Sequence, residues 1–214
     1  MATKTDTALD RFIAQTRDLF AQEPDNEKRW LKMAPILREL LADPAVQAAS
    51  ENWPECIPTD RAHNLLFYVD PDYGFAINGL KRLPKSQGKT DRAYSASDHP
   101  NYKGIHDHGH IYTLYGVLTG HEMLERYKRV EGTPESGRIT IEQTGNFKVE
   151  PGAVDLVRPY EIHAERSLGE TTIAIIIRSE KPGDFLQGRY QPETGEYWQV
   201  YGPRLTPVEM FGDS

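Results

Sequence analysis

The spacing of apolar residues changes once along this chain of 214 residues, and that change constrains the fold more than any other feature. Through the first quarter, apolar side chains recur at helical spacing: Leu9, Phe12, Ile13, Leu19 and Phe20, then Trp30, Leu31, Met33, Ile36, Leu37, Leu40 and Leu41. Such recurrence marks one face of a helix. Asp25 or Asn26 stands where the second helix needs a cap, Asp43-Pro44 where it should break, and a short helix is expected through Val46. Pro54 and Pro58 then mark a change of style. From about Leu65 short runs rich in Val, Ile, Tyr and Phe alternate with Gly, Pro and Asn turns, the pattern of strands. Strands are expected near 65–70, 74–81, 105–108, 110–118, 121–130, 138–144, 147–149, 154–157, 162–167 and 171–179, with Thr144-Gly145-Asn146 as a hairpin turn. The run Thr172 to Ile177 is apolar on both faces, as a central strand is, and Gly195 to Tyr201 is a candidate late strand or packed cover. Many short strands favour a barrel or sandwich, so the chain is expected to be mainly β with N-terminal α-helices. Residues 1–60 are expected to form a helical segment packed on a β-barrel of residues 61–214, which ends in a C-terminal extension. The helices either cover one end of the barrel or pack across a homodimer interface.

Composition removes several function classes. The net charge of −7 argues against a nucleic-acid surface, which needs clustered Lys and Arg. No apolar run approaches the roughly 20 residues that span a bilayer, and the N-terminal stretch lacks the apolar core of a signal peptide. The lone Cys56 excludes an internal disulfide and fits a reducing cytoplasm, and beside Pro54 and Pro58 it reads as a packed small residue. Gly88-Lys89-Thr90 superficially resembles a phosphate loop, but Arg82-Leu83-Pro84 stand where its first glycine belongs.

The chemistry-bearing stretch is His106-Asp107-His108-Gly109-His110. Side chains two apart on a strand point the same way, so both imidazoles of a His-x-His face one spot. A third, His163, lies in Arg158-Pro159-Tyr160-Glu161-Ile162-His163 and can complete a metal site from a neighbouring strand. Imidazole suits iron, copper, nickel and zinc. The isolated His63, His99 and His121 read as surface or hydrogen-bonded residues. His110 shares the alternation of His106 and His108 unless a bulge intervenes at Gly109. It is therefore an alternative ligand, a residue behind the ligands or a rim residue.

His106 and His108 open a segment ending Tyr115-Gly116-Val117-Leu118-Thr119-Gly120-His121-Glu122, and Glu150-Pro151-Gly152 opens the segment that ends at His163. This two-part pattern, over roughly residues 100–180, resembles the cupin superfamily. The resemblance implies a double-stranded β-helix, or jelly-roll, barrel with His106, His108 and His163 as metal ligands. Many cupins add a glutamate ligand three or four residues past the second histidine, where Ile111 and Tyr112 stand here. The resulting set of three neutral histidines, the wording Gly104-Ile105-His106-Asp107-His108 and the helices ahead of the barrel look like the cysteine dioxygenase-type thiol dioxygenases. Those enzymes bind Fe(II) and insert both atoms of O2 into a thiol.

The outer shell of that family is missing. Its late-strand Ser-x-His-x-Tyr falls on Ala174, Ile176 and Arg178, its crosslinked cysteine near Thr113, and its early-strand arginine near Leu66. A pocket walled by Leu66, Ala174 and Ile176 would bury the charges of a free amino acid without partners, so a less polar substrate is expected, or one gripped elsewhere. Arg178 is a candidate anion clamp, or else a strand-end arginine facing solvent; Lys81 and Arg82 are further candidates. Tyr68, Tyr112 and Tyr115 either line the cavity, donate a hydrogen bond to iron-bound oxygen or serve packing, and Tyr112, Thr113 and Tyr115 join His110 as candidates for a catalytic or ligand-supporting role.

The expectation is a cytoplasmic, non-haem Fe(II) dioxygenase acting with O2 on a small thiol or related chelating molecule, without nucleic-acid or membrane partners. Diketone cleavage is an alternative. So is another metal chemistry with zinc, manganese or nickel (a hydrolase, lyase or isomerase), and so is a non-catalytic small-molecule-binding barrel.

Overall fold

The computed structural model describes residues 6–57, 60–84 and 102–212. The Lys85–Thr90 stretch and His99 lie outside the described residues. Three helices come first: α1 (Ala8–Gln22), α2 (Asn26–Ala42) and α3 (Pro44–Glu51). Thr7 and Asp10 form a capping box at α1, and the Asp25 carboxylate accepts the Lys28 N–H at 2.9 Å to cap α2. Asp43 both ends α2 and caps α3 through the Ala45 N–H, while Pro44 occupies the first turn, where its missing N–H leaves no bond unmade.

Eleven strands follow among the described residues: β1 (Ala62–Val69), β2 (Ala76–Arg82), β3 (Thr113–Thr119), β4 (Glu122–Thr133), β5 (Arg138–Val149), β6 (Val154–Val157), β7 (Ile162–Ser167), β8 (Thr172–Arg178), β9 (Leu186–Gln191), β10 (Glu196–Tyr201) and β11 (Thr206–Pro207). One sheet runs β11-β1-β2-β8-β3-β6 and the other β7-β4-β5-β10-β9. The stretch around His106 bridges β7 on one side and β9 on the other, through His106 to His163 and to Arg189. With it counted, β2-β8-β3-β6 stands against (105–108)-β7-β4-β5. That interleaved order is a jelly roll.

β8 is central, between β2 and β3, and buried along its whole length. Ile173, Ile175 and Ile177 join Trp30, Met33, Leu37 and Leu41 in the core under the helices. Ala174 and Ile176 pack with Leu80, Tyr115 and Val117 on the other face. The helices thus cover the outside of one sheet, which explains why β8 has no polar face. Among the described residues, no helix is long and apolar enough to cross a membrane.

The structure departs from the expected strands in two places that bear on function. The hairpin expected at Thr144-Gly145-Asn146 is absent: β5 is continuous, with Arg126 opposite Gly145 and Tyr127 opposite Gln143, so Thr144 bulges from the ladder. The chain instead reverses at the short 3-10 turn Pro134–Ser136. Residues 110–112 do not begin β3, because Gly109 at φ +60° turns the chain first. The strand β9 was not anticipated, and it supplies part of the site.

Candidate metal centre

His106 lies in an extended stretch held between two strands. Its N–H donates to the His163 carbonyl and its carbonyl accepts the His163 N–H, both at 2.9 Å. This pairing fixes the register between the His-x-His stretch and β7, and places the third imidazole beside the first. Alternation along the extended stretch brings His108 to the same face. The three rings pack with centroids 4.4, 4.7 and 5.0 Å apart, all buried, and one ligand atom from each lies within 4.8 Å of the others.

The nitrogen positions suit a cation. His106 Nδ1 is 2.8 Å from the Gly104 carbonyl and His163 Nδ1 is 2.9 Å from the Glu161 carbonyl, so each Nδ1–H donates outward and leaves Nε2 to the cluster. His106 Nε2 and His108 Nε2 are 3.1 Å apart. Two nitrogens bound at right angles to one ion, each about 2.1 Å from it, would stand about 3 Å apart. Burial holds His106 and His108 well below the ordinary histidine pKa, in the neutral state a ligand needs. Burial also opposes protonation of His163, but the Glu165 carboxylate 3.3 Å from its Nε2 overrides this and raises its pKa. A bound cation would take the place of that proton. The residues present therefore fit a metal ion held by His106, His108 and His163.

Asp107, between the two histidines, points the other way and anchors the stretch. Its buried carboxylate accepts the N–H groups of Gly109 at 2.7 Å and Gly188 at 3.0 Å, and the hydroxyl of Tyr190. The approach is so close that a Cβ on Gly188 would fall 2.3 Å from Asp107 Oδ2. Burial and the Asp107 charge raise the Tyr190 pKa, keeping its hydroxyl a donor.

The metal centre borders a cavity. His106 and His108 line it together with Asn64, Leu80, Arg82, Tyr115, Glu165, Ile176, Arg178, Gln187 and Pro203. Ile176 is where the sequence places it, and Ala174 lies one layer further along the same face. Arg178 does not face solvent: it is 6% exposed and donates to Asn78 Oδ1 at 3.1 Å. Arg82 is buried and ion-paired with Glu122 at 3.0 Å, while Lys81 donates to the Trp53 carbonyl outside the cavity. The Tyr115 hydroxyl donates to Glu122 at 2.7 Å, and burial pushes its pKa well up. Thr113 is buried and pairs in register with Arg178.

Several candidates are not brought to the cavity. His110 is exposed, with Nε2 2.7 Å from Glu180; the turn at Gly109 ends the strand alternation that would have aimed it at His106 and His108. Tyr112 packs outward, stacked on Trp30 with ring centroids 6.0 Å apart. Leu66 and Tyr68 line a separate open cleft with Pro207 and Val208, where β1 pairs with β11. His63 is buried rather than on the surface, and His121 is 2.6 Å from Glu170. Sequence reasoning missed Glu165, Gln187, Asn64 and Asn78. Glu165 was within reach, since it follows His163 by two and strand alternation puts both on one face.

No protein-family model matches the chain, and no curated protein matches it. Solved structures do. KdgF from Halomonas sp. is 12% identical with a TM-score of 0.40, over 62% of this chain and 89% of that one. The Schizosaccharomyces pombe Cnp3 cupin domain is 9% identical with a TM-score of 0.37, over 60% and 71%. Oxalate oxidase in complex with the substrate analogue glycolate is 13% identical with a TM-score of 0.36, over 59% and 53%. At these scores the likenesses are loose, and the jelly roll stands on the strand order described above.

Proposed function

We propose that this protein is a cupin-type metalloenzyme, a non-haem Fe(II) dioxygenase acting on a small thiol or related metal-chelating molecule. The observation that carries the reading is the convergence of the buried His106, His108 and His163, of which His106 and His108 line a small cavity. Three ligands on one side of an ion leave positions opposite for a substrate and O2. When bound, Fe(II) supplies reactivity towards O2 and a positive charge that favours anionic donors. The protein does the rest. The paired His106 and His163 backbones and the Asp107 anchor set the geometry, and the Leu80 and Ile176 side chains exclude water. With a thiol, both atoms of O2 end on sulfur and the product is a sulfinate.

Glu165 favours a second reading on the same site. A buried carboxylate 3.3 Å from a ligand nitrogen is placed to hydrogen-bond a water or hydroxyl at the metal. That arrangement suits a zinc, manganese or nickel hydrolase, lyase or isomerase. The test begins with metal analysis of protein purified without added metal, followed by an oxygen-electrode screen of small thiols and diketones. Thiol-dependent O2 uptake by the iron-loaded protein, lost together with iron binding in His106→Ala and His163→Ala, is the expected result. Full iron occupancy in either variant removes that residue from the site. Turnover without oxygen selects the second reading.

A further inference from the structure

The cavity at the metal centre is too small to admit a substrate as it stands, at about 20 Å³. One water needs about 10–15 Å³ of such space, so a substrate enters only where part of the wall gives way. Most of the polar wall is held. Arg82 and the Tyr115 hydroxyl are bonded to Glu122, Arg178 to Asn78, Gln187 to Arg189 and Glu165 to the His163 ring. Leu80 and Ile176 pack in the barrel interior. Asn64, on β1, is different. It is 8% exposed, and its carboxamide makes no hydrogen bond among the described residues. A carboxamide can donate two hydrogen bonds and accept two, so packing alone fixes the rotamer of this one.

Asn64 also lines a second cavity, of about 100 Å³, together with Cys56, Asp60, His63 and Arg204. The two cavities share this residue and, beside it, one stretch of chain: Pro203 lines the inner cavity and its neighbour Arg204 the outer one. Arg204 is exposed, so the outer cavity reaches the surface. The fold leaves the barrel uncovered at this place. β11 pairs with β1 at Leu65 and Leu66, so residues 62–64 form a sheet edge without a partner strand on that side among the described residues. The segment between β10 and β11 runs past that edge, and its Gly202 lies against the opposite wall, where a Cβ would fall 2.9 Å from Gln187 Nε2.

We infer that Asn64 is the doorway residue of the metal centre: ions and substrates pass from the outer cavity to the inner one by displacing its side chain. The inference rests on the proposed metalloenzyme and adds a route of access to it. A swing of Asn64 breaks no ion pair and no side-chain hydrogen bond, whereas moving Arg82, Tyr115 or Gln187 strips a buried polar group of its partner. Asn64 thereby sets the girth of what reaches the metal, and slender, unbranched molecules pass most easily. A doorway alters the barrier between two states and neither state itself, so it changes entry and exit by one factor and leaves affinity alone.

The test follows cobalt(II) entering the metal-free protein by stopped-flow absorption, and leaving the loaded protein into excess EDTA. Asn64→Ala should speed both steps about three-fold or more, and Asn64→Phe should slow both about ten-fold or more, with the dissociation constant within roughly two-fold of the native value. Val149→Phe narrows a separate small cavity that also touches Glu165, and should change neither rate. If Asn64→Phe fails to fold, Asn64→Ala decides by itself. Native rates in Asn64→Ala, or a change in release alone with a matching change in affinity, overturn the doorway and leave the metal site standing. So does slowed exchange in Val149→Phe. Failure of the native protein to take up cobalt at all overturns the metalloenzyme reading, and the doorway with it.

Discussion

Asp107 offers the sharpest measurement, because one buried carboxylate holds three donors and sits between two proposed ligands. Asp107→Ala leaves the Gly109 and Gly188 N–H groups and the Tyr190 hydroxyl without their acceptor. Each buried unpaired donor costs about 1–3 kcal/mol, so three of them set a loss of about 4 kcal/mol even if water reaches one. Asp107→Asn keeps an oxygen for the two backbone donors and should cost about 1 kcal/mol. Tyr190→Phe removes one charge-assisted bond and should cost about 2 kcal/mol. The double variant Asp107→Ala with Tyr190→Phe should fall short of the sum by about 1–2 kcal/mol, since both substitutions break the same bond. Urea unfolding of the metal-free protein measures these losses, and zinc titration of each variant reads the consequence at the site. Releasing the His-x-His stretch from β9 should weaken metal binding about 10-fold or more, the usual effect of losing a group that orients ligands. An Asp107→Ala protein within 1 kcal/mol of the parent, with unchanged zinc affinity and additive behaviour with Tyr190→Phe, would refute the anchor.

Two further outcomes follow from the same structure. His106 and His108 are held neutral in the fold but protonate near pH 6.5 when unfolded, so the unfolded chain binds more protons below that pH. Metal-free stability should therefore drop as pH falls below about 6.5, by up to ~2.7 kcal/mol per pH unit for the two groups. His163 has the opposite sign: its raised pKa contributes stability that is complete below about pH 6.5 and lost as pH rises through the folded value. Urea midpoints of the metal-free protein should thus peak near pH 6.5, and bound zinc should remove the decline on the alkaline side. Trp30→Ala should cost about 3–5 kcal/mol, because Trp30 is buried against Tyr112 and Phe20. Zinc affinity should not move, because the helices lie on the outer face of the sheet; a ten-fold loss would mean that they shape the site.

The accuracy of the sequence reading followed how local each signal is. Capping by Asp25 and the break at Asp43-Pro44 depend on neighbours in the chain, and both are where their chemistry puts them. The all-apolar β8 was legible because a strand buried on both faces has no polar positions. His110 and Thr144 misled for one reason: each lies where the backbone breaks alternation, His110 after the positive-φ Gly109 and Thr144 in a bulge. Gln187 carried no signal, since nothing in its own sequence says that β9 pairs with the His106 stretch.

The helix-then-strand order and the set of imidazoles available to one ion are both legible in the chain before it folds. Helical spacing and strand alternation are written into successive residues. Tertiary structure decided which face turned inward and what met there. Alternation tells that Ala174, Ile176 and Arg178 share a side, but only pairing with β2 and β3 makes that side the interior. It thereby sets a guanidinium, a carboxamide from a distant strand and the Glu165 carboxylate around one cavity. Long-range register is fixed by hydrogen bonds and packing between strands far apart in the chain, and no local pattern carries that information.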